Sequence, residues 1–227
     1  MVRNKSELSG KKYVTISDVN PETLYSGYSH VAHQHYWAAE ILRDRALKYA
    51  EINKHDHSVL TFSVICLYHA SLDCYLNETL AGSASRLEKS NPDQARRCFG
   101  IQKESLNPGK ISKFLEAYGA HNKIGDEIRE HLDAFLLLRN VLYHHSPETR
   151  PFNEIPADAE KALKLSAGPV INTSWAALCG HLQVLEWSRK SLRDFLDELN
   201  RALQLPSLFS DLSFLGWDHH NRHLQRD

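Results

Sequence analysis

The chain has no excess of either charge: 27 Lys and Arg stand against 28 Asp and Glu, a formal net charge of −1 over 227 residues. That balance excludes a broadly basic surface of the kind that wraps nucleic acid, while leaving room for a local basic patch. Cysteine is scarce as well. The four, Cys66, Cys74, Cys98 and Cys179, show no paired metal-ligand spacing, so ordinary buried thiols in a reduced, cytoplasmic protein are the simple reading. No apolar segment follows Met1-Val2-Arg3-Asn4-Lys5, and no secretory signal is expected. The uncharged, apolar run Ser58 to Leu72 is too short and too dotted with Ser, Thr and His to span a bilayer, so no membrane role is expected. A Gly-x-x-x-x-Gly-Lys phosphate loop, a Gly-x-Ser-x-Gly elbow, a His-Glu-x-x-His zinc motif and any fixed-period repeat are all missing.

What is present is helical periodicity, in a length that fits a single domain spanning 1–227 with a core of its own. Residues 1–28 form a polar arm whose one strand-like patch is Tyr13-Val14-Thr15-Ile16, with turns at Asn20-Pro21 and Gly27. From Ser29 to Asn53, Trp37, Ile41, Leu42, Ala46 and Tyr49 line one helix face. His30, His33 and His35 lie here at gaps that suit a helix start better than a metal site. A second helix, capped by Asp56 or Ser58 and running to Ala84, is apolar on nearly every side and should be central. Its acids are Asp73 and Glu78.

Between Ser85 and Lys123 the breaks Ser90-Asn91-Pro92 and Asn107-Pro108-Gly109 leave two short helices, Pro92–Cys98 and Lys110–Tyr118, in an insertion where bases outnumber acids eight to four. Arg96, Arg97, Lys103 and Lys110 are its candidates for contacting RNA phosphates; the competing reading is an ordinary solvated excursion. A fourth segment runs from Asp126 to His145, and a short helix follows Pro156 up to Leu165. The last long helix spans Thr173 to Leu203 on a leucine stripe, and Pro206 breaks it. Residues 204–227 are an apolar tail with Leu208, Phe209, Leu212, Phe214, Leu215 and Trp217, expected to dock on the bundle or on a partner. His219, His220 and His223 have no carboxylate or cysteine placed to complete a metal site. The chain therefore reads as all-α, with four long helices and short helical insertions.

The chemistry concentrates in Leu136-Leu137-Leu138-Arg139-Asn140-Val141-Leu142-Tyr143-His144-His145. Ile128, Leu132, Phe135 and Leu136 recur on one helix face; Arg139 continues that stripe, and Leu142 and Tyr143 close it. A guanidinium keeps its proton, so an inward-facing one needs carboxylate, phosphate or backbone oxygen partners. Asp73 or Glu78 on the second helix could pair with it, either as a structural ion pair or as a carboxylate orienting the site. His144, five residues on, titrates near neutral pH and points roughly 140° away on an ideal helix, so the two converge at a frayed helix end or across a dimer. At a helix C-terminus an imidazolium is stabilised by about 0.3–1 kcal/mol, which suits a general acid.

Arg139, Asn140 and His144 match the Arg-polar-x-x-x-His pattern at the end of a helix, and the chain resembles the HEPN (higher eukaryotes and prokaryotes nucleotide-binding) superfamily. The resemblance implies an antiparallel helical bundle that forms a homodimer, bringing two motifs face to face. It implies a metal-independent endoribonuclease with no cofactor, acting as a toxin or antiviral defence effector and leaving 2′,3′-cyclic phosphate ends. In that arrangement His144 moves the proton, Arg139 stabilises phosphorane charge, Asn140 positions the phosphate, and His145 and Tyr143 are supporting residues. An antitoxin or another effector subunit is a possible partner. Some such toxins carry a modified tyrosine two residues past the motif histidine; Ser146 stands there in this chain. The rival reading is a non-catalytic bundle used for dimerisation, partner holding or nucleotide binding, with Arg139 in a structural ion pair.

Overall fold

Helix α2 (His57–Leu87) occupies the middle of the molecule. Its buried positions, among them Val64, Ile65, Tyr68, Leu72, Tyr75, Leu76 and Leu80, fill one half of its circumference, and Leu60, Leu67 and Cys74 beyond them are partly buried, so it is covered on several sides. In the computed structural model α1 (Pro21–Ile52), α3 (Pro92–Gln102), α5 (Asp126–His144), α7 (Trp175–Cys179) and α8 (Leu182–Leu203) all touch it. Two further helices, α4 (Pro108–Ala117) and α6 (Ala157–Ala167), and a 3₁₀ turn at His121–Lys123 complete the set. The structure describes residues 21–52, 57–144, 155–167 and 175–203; the Tyr13–Ile16 patch, the apolar tail and His219, His220 and His223 lie outside them.

Side-chain pairings fix the directions of the four long helices. The Tyr68 hydroxyl donates to Glu40 and the Ser71 hydroxyl to the Ala32 carbonyl, so α1 and α2 are antiparallel. The Trp187 indole N–H donates to His131 while the Gly125 N–H donates to Glu198, so α5 and α8 are antiparallel. Tyr75 donates to Asn200, and Arg189 and Tyr68 meet on Glu40, which runs α8 alongside α2. The result is an all-α, up-and-down bundle in which α1 and α5 run one way and α2 and α8 the other.

Polar clamps hold the outer helix pair. Arg189 grips Glu40 through Nε and Nη2 at 2.8 Å, and Arg43 grips Glu186 with both carboxylate oxygens engaged. Such two-pronged guanidinium pairs fix orientation as well as distance. Burial raises the Glu40 carboxyl, but the hydrogen bonds from Arg189 and Tyr68 and the positive charges nearby hold it below its usual range.

Three features differ from the sequence expectation. α1 starts at Pro21, where a proline loses nothing by lacking an N–H, so the polar arm is shorter than residues 1–28. The stretch 85–123 is not a solvated excursion, because α3 and α4 bury Ala95, Cys98, Ile101, Ile111, Phe114 and Leu115 against the rest. Both helices start alike: Asn91 accepts from the Gln94 N–H and Asn107 from the Lys110 N–H, each followed by proline at the first position. Gly119, at φ 62°, turns the chain out of α4. The expected helix from Thr173 to Leu203 is broken at Gly180-His181 into α7 and α8. A Cβ on Gly180 would come within 2.6 Å of the Ser58 Cβ, so glycine lets the start of α2 pass close by.

By length and composition alone α2 passes the test for a membrane span, with a mean hydropathy of 1.4 over its most apolar window, a window longer than the uncharged run within it. Half of that window is buried by the neighbouring helices, the position of a core helix.

Candidate functional site

Arg139 lies in the last turn and a half of α5, directly after a buried run. Leu132, Phe135, Leu136 and Leu138 are fully buried, which anchors the helix and carries Arg139 to the margin of the core. Arg139 and Asn140 are half-buried, and Tyr143 is 67% exposed. Three observations define the guanidinium. Its Nη1 donates to Asn140 Oδ1 at 3.2 Å. Its carbon sits 4.6 Å from the centroid of the Tyr143 ring, one helical turn on, a cation–π stack. Its Nε is buried and has no hydrogen-bond partner. Among the described residues no carboxylate forms an ion pair with it. Asn140 and Tyr143 thus hold one nitrogen and one face, and the Nε/Nη2 edge is left without a partner among the described residues. That edge is the one a guanidinium uses to grip a phosphate through two parallel N–H bonds.

Opposite Arg139, α2 presents Cys66 and His69, one turn apart on the helix. His69 is only 6% exposed and lies against Phe135, ring centroids 6.5 Å apart, and Phe135 is one turn before Arg139. Burial, reinforced by the nearby positive charge of Arg139, pushes the imidazole down to about 4, so it is neutral at neutral pH. Its Nε2 is buried without a partner. The Cys66 thiol is raised by burial, with Arg139 pulling the other way. The sequence reading passed over His69; its signal was an imidazole set in the otherwise apolar run Val64–Leu72.

Neither expected acid reaches Arg139. Asp73 is claimed by Lys110, whose Nζ donates at 2.8 Å to Asp73 Oδ1, to Asn77 Oδ1 and to the Glu104 carbonyl. Glu78 accepts the Ala32 backbone N–H at 3.3 Å, and burial raises its carboxyl to about 7. Lys110 is also removed from the RNA-contact candidates: it is 0% exposed, because an ammonium with three oxygen acceptors is satisfied inside the protein. The remaining three stay exposed around α3, with Arg96 paired to Asp93 and Arg97 to Glu116. His144 is the last residue of α5; its side chain, and all of His145, lie outside the described residues.

Other titratable clusters are satisfied or shallow. Among the described residues no three His, Cys, Asp or Glu side chains come together as a metal site. A groove of about 180 Å³ between α5 and α8 is lined by Glu127, Ile128, His131, Lys190, Ser191 and Asp194, but Lys190 is paired with Asp194 and His131 with Trp187.

No protein-family model matches the chain, and no match is found among curated proteins or solved structures.

Proposed function

We propose that the C-terminal end of α5 binds RNA phosphate and that the protein is a metal-independent endoribonuclease of the HEPN kind, working as a symmetric dimer. The observation that carries this reading is the unpaired edge of Arg139. A half-buried guanidinium with no carboxylate partner among the described residues is suited to an external anion, and desolvation strengthens such a contact. In the proposed reaction His144 of one protomer takes the proton from a ribose 2′-hydroxyl. The 2′-oxygen bonds to phosphorus, the bond to the 5′-oxygen breaks, and that oxygen receives a proton from the second His144. The two Arg139 guanidiniums bind the non-bridging oxygens, each oriented by its Asn140 and stacked on its Tyr143. Two-fold symmetry supplies the acid and the base that one motif histidine cannot provide together. Toxin or defence activity, and restraint by a partner subunit, follow from the resemblance alone.

The test is the chemistry of the products. Wild-type protein incubated with single-stranded RNA and with bulk tRNA in EDTA should leave 2′,3′-cyclic phosphate and 5′-hydroxyl ends, and His144→Ala should leave none. Cleavage that survives His144→Ala, or that needs a divalent metal, would exclude this mechanism. Absence of cleavage by wild type on any RNA tried would favour the non-catalytic binding module.

A further inference from the structure

We propose that His69, on a different helix from the motif, is a second phosphate-binding residue, its Nε2–H donating to the same ligand oxygen region as the Arg139 Nε/Nη2 edge. This rests on the reading of Arg139 as a phosphate site. Two buried polar atoms have no hydrogen-bond partner among the described residues, His69 Nε2 and Arg139 Nε; His69 lies against Phe135, one turn before Arg139 on α5, and the Arg139 charge is felt at its imidazole. A buried polar group left unpaired is costly, so two of them on neighbouring helices suit one shared acceptor. Both groups can donate. Arg139 is always protonated, and a neutral imidazole offers one N–H, from Nε2 in the tautomer required here. An oxyanion accepts from both; a cation or an aliphatic group satisfies neither.

The alternative for His69, a plain core histidine, is tested by separating shape from hydrogen bonding. His69→Phe keeps a planar ring against Phe135 and removes the donor. His69→Gln keeps a neutral N–H near the Nε2 position.

The experiment is binding of a short oligoribonucleotide made uncleavable by 2′-O-methylation, in EDTA, to folded wild type, Arg139→Ala, His69→Phe and His69→Gln. Circular dichroism and sedimentation would confirm that fold and oligomeric state are unchanged. The expected result is loss of binding in Arg139→Ala, about tenfold weaker binding in His69→Phe, and recovery in His69→Gln. In wild-type protein with ¹⁵N-labelled histidine, the His69 Nε2 resonance should shift when the oligonucleotide is added. Wild-type affinity in His69→Phe alongside loss in Arg139→Ala would overturn the role of His69 and leave the Arg139 reading standing. Wild-type affinity in Arg139→Ala would overturn both. Should His69→Phe fail to fold, the resonance decides: a His69 signal that does not move on saturation contradicts the proposal.

Discussion

Lys110 Nζ lies 2.8 Å from Asp73 Oδ1, a contact that ties α4 to α2 in the interior. Asp73 is one turn from His69 on α2, and its charge is still felt at the imidazole. Lys110 takes Asp73, and among the described residues no carboxylate forms an ion pair with Arg139. A lysine that looks like part of a basic RNA-facing patch is in fact buried and bonded to three oxygens.

Lys110→Met should therefore act on stability and not directly on phosphate recognition. It removes a fully buried ammonium with three acceptors and strands the Asp73 charge, at a cost on the order of 3 kcal/mol. Urea denaturation checks this. A loss under about 0.5 kcal/mol would mean that Lys110 is not held as described.

Glu40 is the shared acceptor of Arg189 and Tyr68, and Glu40→Ala should cost about 3 kcal/mol, because it leaves a guanidinium and a hydroxyl unpaired between α1, α2 and α8. Tyr68→Phe removes one donor only and should cost about 1 kcal/mol. Thermal melts of the two variants would show whether Glu40→Ala is the more damaging, as this ordering requires.

Much of this architecture is legible in the sequence. α2 reads as central because Val64 through Leu72 leaves no polar face, and α5 is bounded by its acidic first turn and the residues before Pro147. The Asn-Pro starts of α3 and α4 mark themselves. The tertiary pairings are not legible: Lys110 finds Asp73 across 37 residues and Arg189 finds Glu40 across 149, and neither sign nor spacing tells a lysine which acid it will meet. The break at Gly180 hides for a similar reason, since a glycine within a leucine stripe is tolerated by a helix, and only the nearness of Ser58 explains it. His69 was missed because an imidazole inside an apolar run resembles any satisfied core histidine until its partners are counted.

Gly180→Ala tests that close approach. The added methyl meets Ser58 Cβ at 2.6 Å, so the start of α2 must move, and a loss of about 1–3 kcal/mol is expected. Ala at Gly100, where nothing stands within 4 Å, is the control. Equal stability of the two variants would remove the steric account of the α7–α8 break.

A half-buried acid and a buried histidine give stability opposite slopes with pH. Glu78 is raised to about 7, so the folded state holds a proton that the unfolded state releases, and stability falls as pH rises from about 4.5 to 7. His69 is lowered to about 4, so the unfolded state takes up the proton first, and stability falls as pH drops from about 6.5 to 4. Glu78→Gln should therefore stabilise the protein at pH 8, by about 1–2 kcal/mol after allowing for partial solvation, and do little at pH 4.5. His69→Phe should flatten the acid limb alone. Denaturant midpoints at pH 4.5, 6 and 8 would expose a reversed sign in either variant.

The central claim is that the Nε/Nη2 edge of Arg139 binds a phosphate, and the direct measurement compares RNA cleavage by wild type and Arg139→Ala in EDTA, with the unfolding free energy of each determined in parallel. The account predicts at least about a hundredfold slower cleavage, the scale for losing a donor to transition-state charge, with stability changed by less than about 1 kcal/mol, because no buried carboxylate is orphaned. Cleavage at the wild-type rate, or a loss of activity that merely tracks a large loss of stability, would contradict it.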